Sequence, residues 1–440
     1  MKKMLFSAVA FAVVAVSAVA VAPTTSEAVP AFARQTGAAC LNCHFQAIPR
    51  LAAFGRNFKM NAYRDTGEQA LIEDEHLSLP AVFNASYLMK ARFSTGDTKS
   101  TTAGVTTVAS KGGVIGTPAT GSSIAVQFPD ESALLFGGRL GEHAGLFNEW
   151  DVIGGSMLGA KMAYVFDLDA GIVALAIGTT DALGAPSLFN DPSNAVVRNT
   201  RGVQTRARAL RSTVMHTGAT GVGVYGHLAD SLYFAIGGLL GNENNDNATV
   251  GGAAGGTAIG NAGVDVTLSP YLRAAYTGEL AGMDTVIGAW YAKTSAAAYK
   301  SYPTVSGLKN ERTEYGIDLQ FQGDLGDVSV GFYAPIVLSA KTTFAVGVDE
   351  KVTGYMPYVN VAFGPAGVRL GYDYAKTTNV ASVLNDTRKD SNFIVGAWYD
   401  VAQNLTLDLE INVAKTDFVT AGVTSTSKLT SSTLQIEYVY

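Results

Sequence analysis

Charged residues and cysteines are scarce in this sequence of 440 residues, of which 15% are Asp, Glu, Lys or Arg and only two are Cys. Soluble globular domains carry about 25% charged residues, so the chain is depleted in charge. The two cysteines cannot form a disulfide scaffold, and the 48 glycines follow no triplet repeat, which excludes a collagen-like helix. The net charge of −6 argues against a nucleic-acid-binding protein. An exported protein rich in β-structure remains, with a membrane β-barrel as the leading class.

The N-terminus has the pattern of an export signal. Lys2 and Lys3 precede an apolar run over residues 4–22, and the small residues around Ser26 and Ala28 offer a cleavage site. We therefore predict a signal peptide over residues 1–28. The alternative is a retained helical anchor, because about 18 apolar residues are enough to cross a bilayer.

Both cysteines lie in one short motif, Cys40-Leu41-Asn42-Cys43-His44. The pattern C-x-x-C-H is typical of c-type haem attachment, because one helical turn lets two thiols reach the two vinyl groups while the adjacent histidine reaches the iron. A thioredoxin-like dithiol has no βαβ context here, and a zinc site lacks a second pair of closely spaced ligands. We predict one covalent haem c attached at Cys40 and Cys43, with His44 as the proximal axial ligand.

The second axial ligand is less constrained. Met60 is the candidate distal ligand and His76 is the runner-up, because methionine and histidine are the usual partners of a histidine-bound haem iron. The alternatives are packing of Met60 against the porphyrin, solvent exposure of His76, and an open coordination position or a barrel residue. Nearby basic side chains are candidates for contacts with the haem propionates, or else form solvated surface. They are Arg34, Arg50, Arg56 and Lys59.

Residues 29–79 form the predicted cytochrome segment, which is small and helical. A chain this short buries too little core to be stable alone, so a haem and a larger partner structure have to support it. Residues 80–440 supply that larger structure.

The pattern over residues 80–440 is that of repeated membrane strands. Transmembrane β-strands have about 9–11 residues that alternate between apolar and polar, and residues 314–322 and 405–413 alternate in this way. A soluble β-sandwich also alternates, because one face of each sheet is buried. Alternating short and long connections, and a last strand that ends on Tyr440, favour an outer-membrane barrel. We predict a mainly β fold, an antiparallel barrel of about sixteen strands, with fourteen or eighteen as alternatives.

Turn residues divide these strands. The predicted long connections include residues 181–213 and 416–427. The predicted short turns lie at residues 167–171, 228–231, 279–282, 323–327, 364–367 and 400–404.

Two groups of charged residues have open roles. Arginines between 198 and 211, among them Arg208, either point outward above the hydrocarbon or lie on a loop folded into the lumen. Six acidic residues of the predicted strands face the lumen, where they attract cations or simply line a hydrated wall. They are Glu314, Asp318, Asp373, Asp408, Glu410 and Glu437.

The residues around the haem motif resemble the fused monohaem cytochrome–porins of iron-oxidising bacteria. The resemblance extends over about 35 residues. The residues that carry it are Pro30 to Gly37, Cys40 to His44, Pro49, Phe54 to Arg56 and Phe58 to Tyr63. It implies that Cys40 and Cys43 attach the haem and that His44 ligates it. It also implies oxidation of Fe(II) at the cell surface and electron delivery to a periplasmic c-type cytochrome.

These expectations lead to one main hypothesis and two alternatives. The main hypothesis is an electron-transfer cytochrome in the outer membrane, an Fe(II)-oxidising oxidoreductase if it is an enzyme, whose cytochrome segment plugs the barrel. Its partners are Fe(II), a periplasmic cytochrome and outer-membrane lipid. The first alternative is a diffusion porin with an appended periplasmic cytochrome. The second is an outward conduit that reduces external acceptors.

Overall fold

The structure, a computed structural model, describes most of the chain after residue 30. The predicted signal peptide (residues 1–28) and the runner-up ligand His76 lie outside the described residues. The described ranges are 31–67, 69–75, 78–102, 105–107, 121–153, 155–179, 189–195, 208–210, 213, 220–240, 268–297, 309–343, 349–379, 386–402, 404–420 and 422–440.

Three short helices build the N-terminal segment, a name we give to residues 31–67. They are α1 (Ala31–Thr36), α2 (Cys40–Cys43) and α3 (Ala53–Met60). Helix α1 ends at Gly37, whose φ of 70° and N–H bond to the carbonyl of Ala33 are typical of a glycine at a helix C-terminus. In the part of the chain that the structure describes, no helix has the length and hydropathy needed to cross a membrane.

A closed antiparallel barrel follows the N-terminal segment. Eighteen strand segments, β3 to β20, make up its wall. Segments β15 and β16 are two halves of one strand, since both pair with β14 and β17, and the three-residue β4 only pairs with the end of β3. The described chain therefore forms sixteen strands (18 − 2), as the sequence predicted, and β20 pairs with β3 to close the barrel.

The strands have the following bounds, with a small hairpin of β1 and β2 before the barrel. They are β1 (Leu71–Glu73), β2 (Ser78–Pro80), β3 (Ala85–Thr102), β4 (Val105–Thr107), β5 (Gly121–Gly141), β6 (Ala144–Asp151), β7 (Ser156–Leu168), β8 (Gly171–Thr179), β9 (Thr220–Leu228), β10 (Leu232–Leu240), β11 (Leu268–Leu280), β12 (Met283–Ala297), β13 (Lys309–Leu325), β14 (Val328–Thr343), β15 (Asp349–Tyr355), β16 (Tyr358–Phe363), β17 (Ala366–Thr378), β18 (Thr387–Ala402), β19 (Leu405–Thr420) and β20 (Val423–Val439).

Alternate side chains of the wall point to opposite sides. On β7, Met162, Tyr164 and Phe166 are exposed on the outer surface, whereas Ala163 and Val165 are buried on the lumen side. An outer surface of apolar side chains on a closed sheet suits lipid, because a closed barrel leaves no unpaired strand edge in the hydrocarbon. The chain is thus an outer-membrane β-barrel, and contact with outer-membrane lipid follows from this fold.

Most short connections lie at one end of the barrel, which is therefore the periplasmic end; the opposite end has the long connections, together with two short ones between β6 and β7 and between β19 and β20. All six predicted short turns join consecutive strand segments as expected, and the structure adds a seventh between β5 and β6, at residues 142–143, which the sequence prediction missed. The long connection predicted at residues 416–427 is wrong, since β19 continues to Thr420 and β20 begins at Val423. The Thr- and Ser-rich ends of these strands carry polar residues on both faces, so they do not show the alternation of a lipid-facing strand.

The N-terminal segment lies in the lumen near the periplasmic end, as predicted for a plug. Gln46 donates from Nε2 to the carbonyl oxygen of Ser329 on β14 (2.7 Å), and Tyr225 on β9 donates its hydroxyl to the carbonyl oxygen of Met60 (2.8 Å). A Cβ on Gly145 of β6 would collide with the carbonyl oxygen of Ala62. Contacts with strands far apart around the wall place the segment across the lumen.

Candidate functional site

Helix α2 presents the two thiols one turn apart. Cys40 and Cys43 are half-buried and are not joined by a disulfide. Burial, and to a lesser extent the neighbouring Cys40, raises the pKa of the Cys43 thiol to about 11. The N–H of His44 donates to the carbonyl oxygen of Cys40 (2.9 Å), which fixes the histidine directly after the last turn of the helix.

A tight hairpin over residues 43–52 orients His44. Its backbone bonds join Phe45 to Arg50 and Ala52 to Cys43, each at 2.9 Å, with a bridge between His44 and Leu51. The Nδ1 atom of His44 lies 3.2 Å from the carbonyl oxygen of Arg50. A carbonyl only accepts, so Nδ1 carries the proton and Nε2 is the basic nitrogen of the neutral ring.

This donor set fits a haem c. Two thiols on one helical turn are suited to thioether bonds, and a histidine whose Nδ1–H is held by a carbonyl has the tautomer and orientation of a metal ligand. The three residues are those that the sequence predicted as the attachment and proximal positions: Cys40, Cys43 and His44.

A glycine allows the hairpin and helix α3 to approach each other. A Cβ on Gly55 would collide with the carbonyl oxygen of Cys43. Any larger residue at this position would push α3 away from the haem motif. Gly55 is one of the residues that carry the family resemblance, but no pattern in the sequence predicts its contact with Cys43.

A groove opens beside Cys40 at the periplasmic end. Its volume is about 270 Å³, slightly below the range of typical ligand pockets, about 300–1,000 Å³, so it admits the edge of a large planar group. Two short turns of the wall form its other side. The lining residues are Cys40, Leu41, Gln46, Ala47, Ile48, Gly364, Pro365, Asp400 and Ala402.

Met60, the candidate distal ligand, ends helix α3 and is 2% exposed. It belongs to an apolar cluster with lumen-facing residues of the wall, among them Val165, Ala176 and Tyr225. Met60 therefore packs against apolar side chains, one of the alternatives that the sequence left open, and its ligation of a haem iron stays a prediction.

The candidate propionate contacts are used in different ways. Arg34 donates to the carbonyl oxygen of Ala85 on β3, and Arg56 forms a two-point ion pair with Asp284 on β12. Lys59 is buried, with 8% of its surface exposed. The Arg50 guanidinium lies over the ring of Trp398 on β18, 5.3 Å from its centroid. Three of the four cations thus contact the barrel wall, and the role of all four toward haem propionates stays a prediction.

Part of the loop after β8 folds into the lumen and touches the hairpin. Asn194 binds the backbone of Leu51, while Asp191 and Ser193 bind wall residues. The N–H of Arg208 donates to Asp373, and its guanidinium pairs with Asp390 (2.7 Å). The outward orientation considered for Arg208 is therefore wrong, because its partners lie on the lumen side; the other arginines of that cluster lie outside the described residues.

The six acidic residues predicted to face the lumen do so, and basic groups meet them there. Asp373 accepts the Arg208 N–H bond described above, and the other five form ion pairs. These are Asp318 with Arg273, Asp408 and Glu410 with Arg369, Glu314 with Arg312, and Glu437 with Lys90. Among the described residues, no group of three or more His, Cys, Asp or Glu side chains is placed to hold a metal ion.

Comparisons with known proteins bear on the barrel only. No family profile matches the sequence, and neither does any curated protein. Similar solved structures include the outer-membrane channel DcaP of Acinetobacter baumannii (12% identity, TM-score 0.49, covering 84% of this chain and 100% of that chain) and OmpT of Vibrio cholerae (11%, 0.48, 85% and 100%). Another is the anion-selective porin of Comamonas acidovorans (14%, 0.41, 81% and 100%). These likenesses concern the fold alone.

Proposed function

We propose that this chain is an electron-transfer cytochrome of the outer membrane that oxidises external Fe(II) and delivers electrons to the periplasm. The observation that carries the proposal is the position of the haem motif: Cys40, Cys43 and His44 lie on helix α2 and the hairpin that follows it, inside the mouth of a membrane barrel. A covalently bound haem would supply a one-electron carrier at this point.

The chain's own residues prepare this position for a haem. Cys40 and Cys43 would hold the macrocycle, while the carbonyl of Arg50 keeps the proton of His44 on Nδ1 and so leaves Nε2 basic. The ion pair of Arg56 with Asp284 and the close contact of Ala62 with Gly145 hold the segment against the wall. Because the segment lies across the lumen, electrons cross this region more readily than hydrated ions do.

The electron donor and the electron acceptor are inferred from different features of the chain. Fe(II) as donor rests on the resemblance to fused cytochrome–porins of iron-oxidising bacteria. A soluble c-type cytochrome as acceptor rests on location, because the groove beside Cys40 lies at the periplasmic end. The short connections there contain Glu142, Asp169, Asp230 and Asp327 but no Lys or Arg, which favours an acceptor with a basic docking face.

A diffusion porin with a cytochrome appendage is the second candidate. The size of the barrel supports it, because sixteen-stranded barrels are wide enough for an aqueous channel. The two functions differ in what the N-terminal segment does, since an appendage leaves the channel open whereas a plug blocks it.

Two measurements on the purified detergent-solubilised protein test the proposal. The first is an absorption spectrum after ferrous iron is added, in which we expect the haem bands of the reduced form. The second is conductance in planar bilayers, which we expect to be low for the whole chain and to rise after residues 29–79 are deleted. A mature chain without covalent haem, or with full conductance before the deletion, contradicts the proposal.

A further inference from the structure

The loop after β8 is anchored deep in the lumen by buried ion pairs. Arg273 on β11 binds both Asp191 of the loop and Asp318 of β13, and all three side chains are fully buried. Ser193 donates its hydroxyl to Asp318 (2.7 Å). A buried charge loses much of its stabilisation if its partner moves, so this part of the loop is held in one position.

The next residue of the loop, Asn194, binds the haem hairpin like a neighbouring strand. The N–H of Leu51 donates to Oδ1 of Asn194 (2.9 Å), and Nδ2 of Asn194 donates to the carbonyl oxygen of Leu51 (2.8 Å). His44 and Leu51 face each other across the hairpin but form no backbone hydrogen bond with each other. In an antiparallel hairpin such a pair alternates with hydrogen-bonded pairs, which here are Cys43 with Ala52 and Phe45 with Arg50. The backbone groups of Leu51 therefore point away from His44, and the amide of Asn194 satisfies both.

The Leu51 N–H that Asn194 binds belongs to the same peptide unit as the group that orients His44. That group is the carbonyl oxygen of Arg50, which accepts from Nδ1 of His44. Gln322 of β13 also donates to the carbonyl oxygen of Leu51 (2.9 Å), so the peptide units on both sides of Leu51 are held, one from the loop and the other from the loop and the wall. Fixing Leu51 fixes the direction of the Arg50 carbonyl.

We propose that Asn194 is a positioning residue for His44, through Leu51 and the carbonyl of Arg50. This inference rests on the proposed haem attachment. The loop leaves β8 at the end opposite the short turn between β7 and β8, so it comes from the extracellular side. An extracellular loop thereby sets the hydrogen bond of the axial histidine, and with it the balance between oxidised and reduced haem.

The direction of the effect follows from ligand basicity. A hydrogen bond from Nδ1 to a carbonyl makes the other ring nitrogen a stronger ligand, which stabilises the oxidised iron. Asn194→Ala removes both bonds to Leu51. Asn194→Asp keeps an acceptor for the Leu51 N–H but sets a second carboxylate oxygen against the Leu51 carbonyl. Both changes loosen the hairpin and favour the reduced haem.

Spectropotentiometry of the purified holoprotein tests this proposal. The measurement is made at an ambient potential where the wild-type haem is half reduced. We expect the ratio of reduced to oxidised haem to rise roughly two- to tenfold in both variants, because the net free energy of one hydrogen bond corresponds to a fold-change of this size. Ser193→Ala is the matched control: it loses the bond to Asp318 and the bond from the Ala195 N–H, but keeps the Arg273–Asp191 ion pair that anchors the loop. Both bonds of the loop to Leu51 come from Asn194, so we expect the wild-type ratio.

A second readout does not require haem. Hydrogen exchange should show a faster-exchanging Leu51 amide in Asn194→Ala than in wild type or Ser193→Ala. Unchanged ratios and unchanged exchange in both Asn194 variants overturn the proposal, and so does an equal shift in Ser193→Ala. If the wild-type chain carries no covalent haem, both the proposed function and the role of Asn194 toward His44 are overturned. The exchange data still test the contact between Asn194 and Leu51 in that case.

Discussion

Arg56 of helix α3 and Asp284 of strand β12 form a two-point ion pair between the N-terminal segment and the barrel wall. The Arg56 side chain is 4% exposed and that of Asp284 is 24% exposed, so the pair is only partly screened by water. The same guanidinium donates to the carbonyl oxygen of Leu51 (3.2 Å). One cation thus connects the wall, helix α3 and the haem hairpin.

We expect Arg56→Ala to weaken the binding of the N-terminal segment to the barrel wall. Hydrogen bonds to charged groups contribute about 1.5–3 kcal/mol each, and partial exposure of Asp284 places this pair at the lower end. The measurement is bilayer conductance, which should rise as the segment leaves the lumen. The double variant Arg56→Met with Asp284→Leu should have a lower conductance than Arg56→Ala, because no uncompensated buried charge remains.

A surface ion pair serves as the control for Arg56→Ala. Lys415 and Asp417 lie 2.6 Å apart on β19, with 48% and 29% of their side chains exposed. Exposed pairs of this kind contribute about 0–1 kcal/mol, so Lys415→Ala should leave conductance unchanged. Equal conductance in the two single variants would mean that Arg56 does not hold the segment in place.

The contact between Gly145 and Ala62 gives a second, steric prediction. Gly145→Val places a side chain where the Ala62 carbonyl lies, and overpacking of this kind costs about 1–3 kcal/mol. We expect residues 60–63 to shift and a protease added to the purified protein to cleave the segment faster. Gly141→Val, near the same turn, has open space around its Cβ and should not alter the cleavage rate.

Titration of Cys43 in the chain produced without haem gives a third prediction. Burial raises its pKa from 9.0 to about 11, so the folded segment keeps the thiol proton over a range in which an unfolded chain loses it. Folding stability of the segment should therefore fall as pH rises from about 9 to 11. Alkylation of Cys43 in a Cys40→Ser variant should accelerate with pH and reach half its maximum near pH 11, or slightly below, since the lesser contribution of Cys40 is gone. A half-maximum near pH 9 contradicts this environment.

The barrel was predictable because its signal is local. Alternation with a period of two identifies each strand from its own residues, as in residues 314–322 and 405–413, and short turns divide the strands. The strand ends above the membrane, such as Thr416 to Thr420, were missed because both of their faces carry polar residues. The proximity of Cys40, Cys43 and His44 was predictable for the same reason as the strands, since the three residues lie within five consecutive positions.

The contacts that hold the motif were not predictable. Asn194 and Leu51 are 143 residues apart, and nothing in the composition of the loop marks Asn194 as a partner of a backbone. The pairing of Asp318 with Arg273 likewise depends on which strands become neighbours in the closed barrel. The alternation within a strand predicts that an acidic side chain faces the lumen, but it does not predict which cation pairs with that side chain.

Met60 gives the last prediction, because its buried position suits both packing and ligation. Met60→Leu nearly conserves volume and should cost less than about 1.5 kcal/mol if the side chain only packs. Our prediction of Met60 as the distal ligand instead expects the ferric haem of this variant to change from low spin to high spin, since leucine cannot ligate iron. Absorption and electron paramagnetic resonance spectra of the holoprotein measure the spin state. Tyr225→Phe removes the hydroxyl bond to the Met60 carbonyl, and with it the acceptor of Asn190 Nδ2, but keeps the Met60 side chain, so it is the control for displaced backbone. A low-spin spectrum that is the same in wild type and Met60→Leu would assign Met60 to packing and leave the distal position to another group.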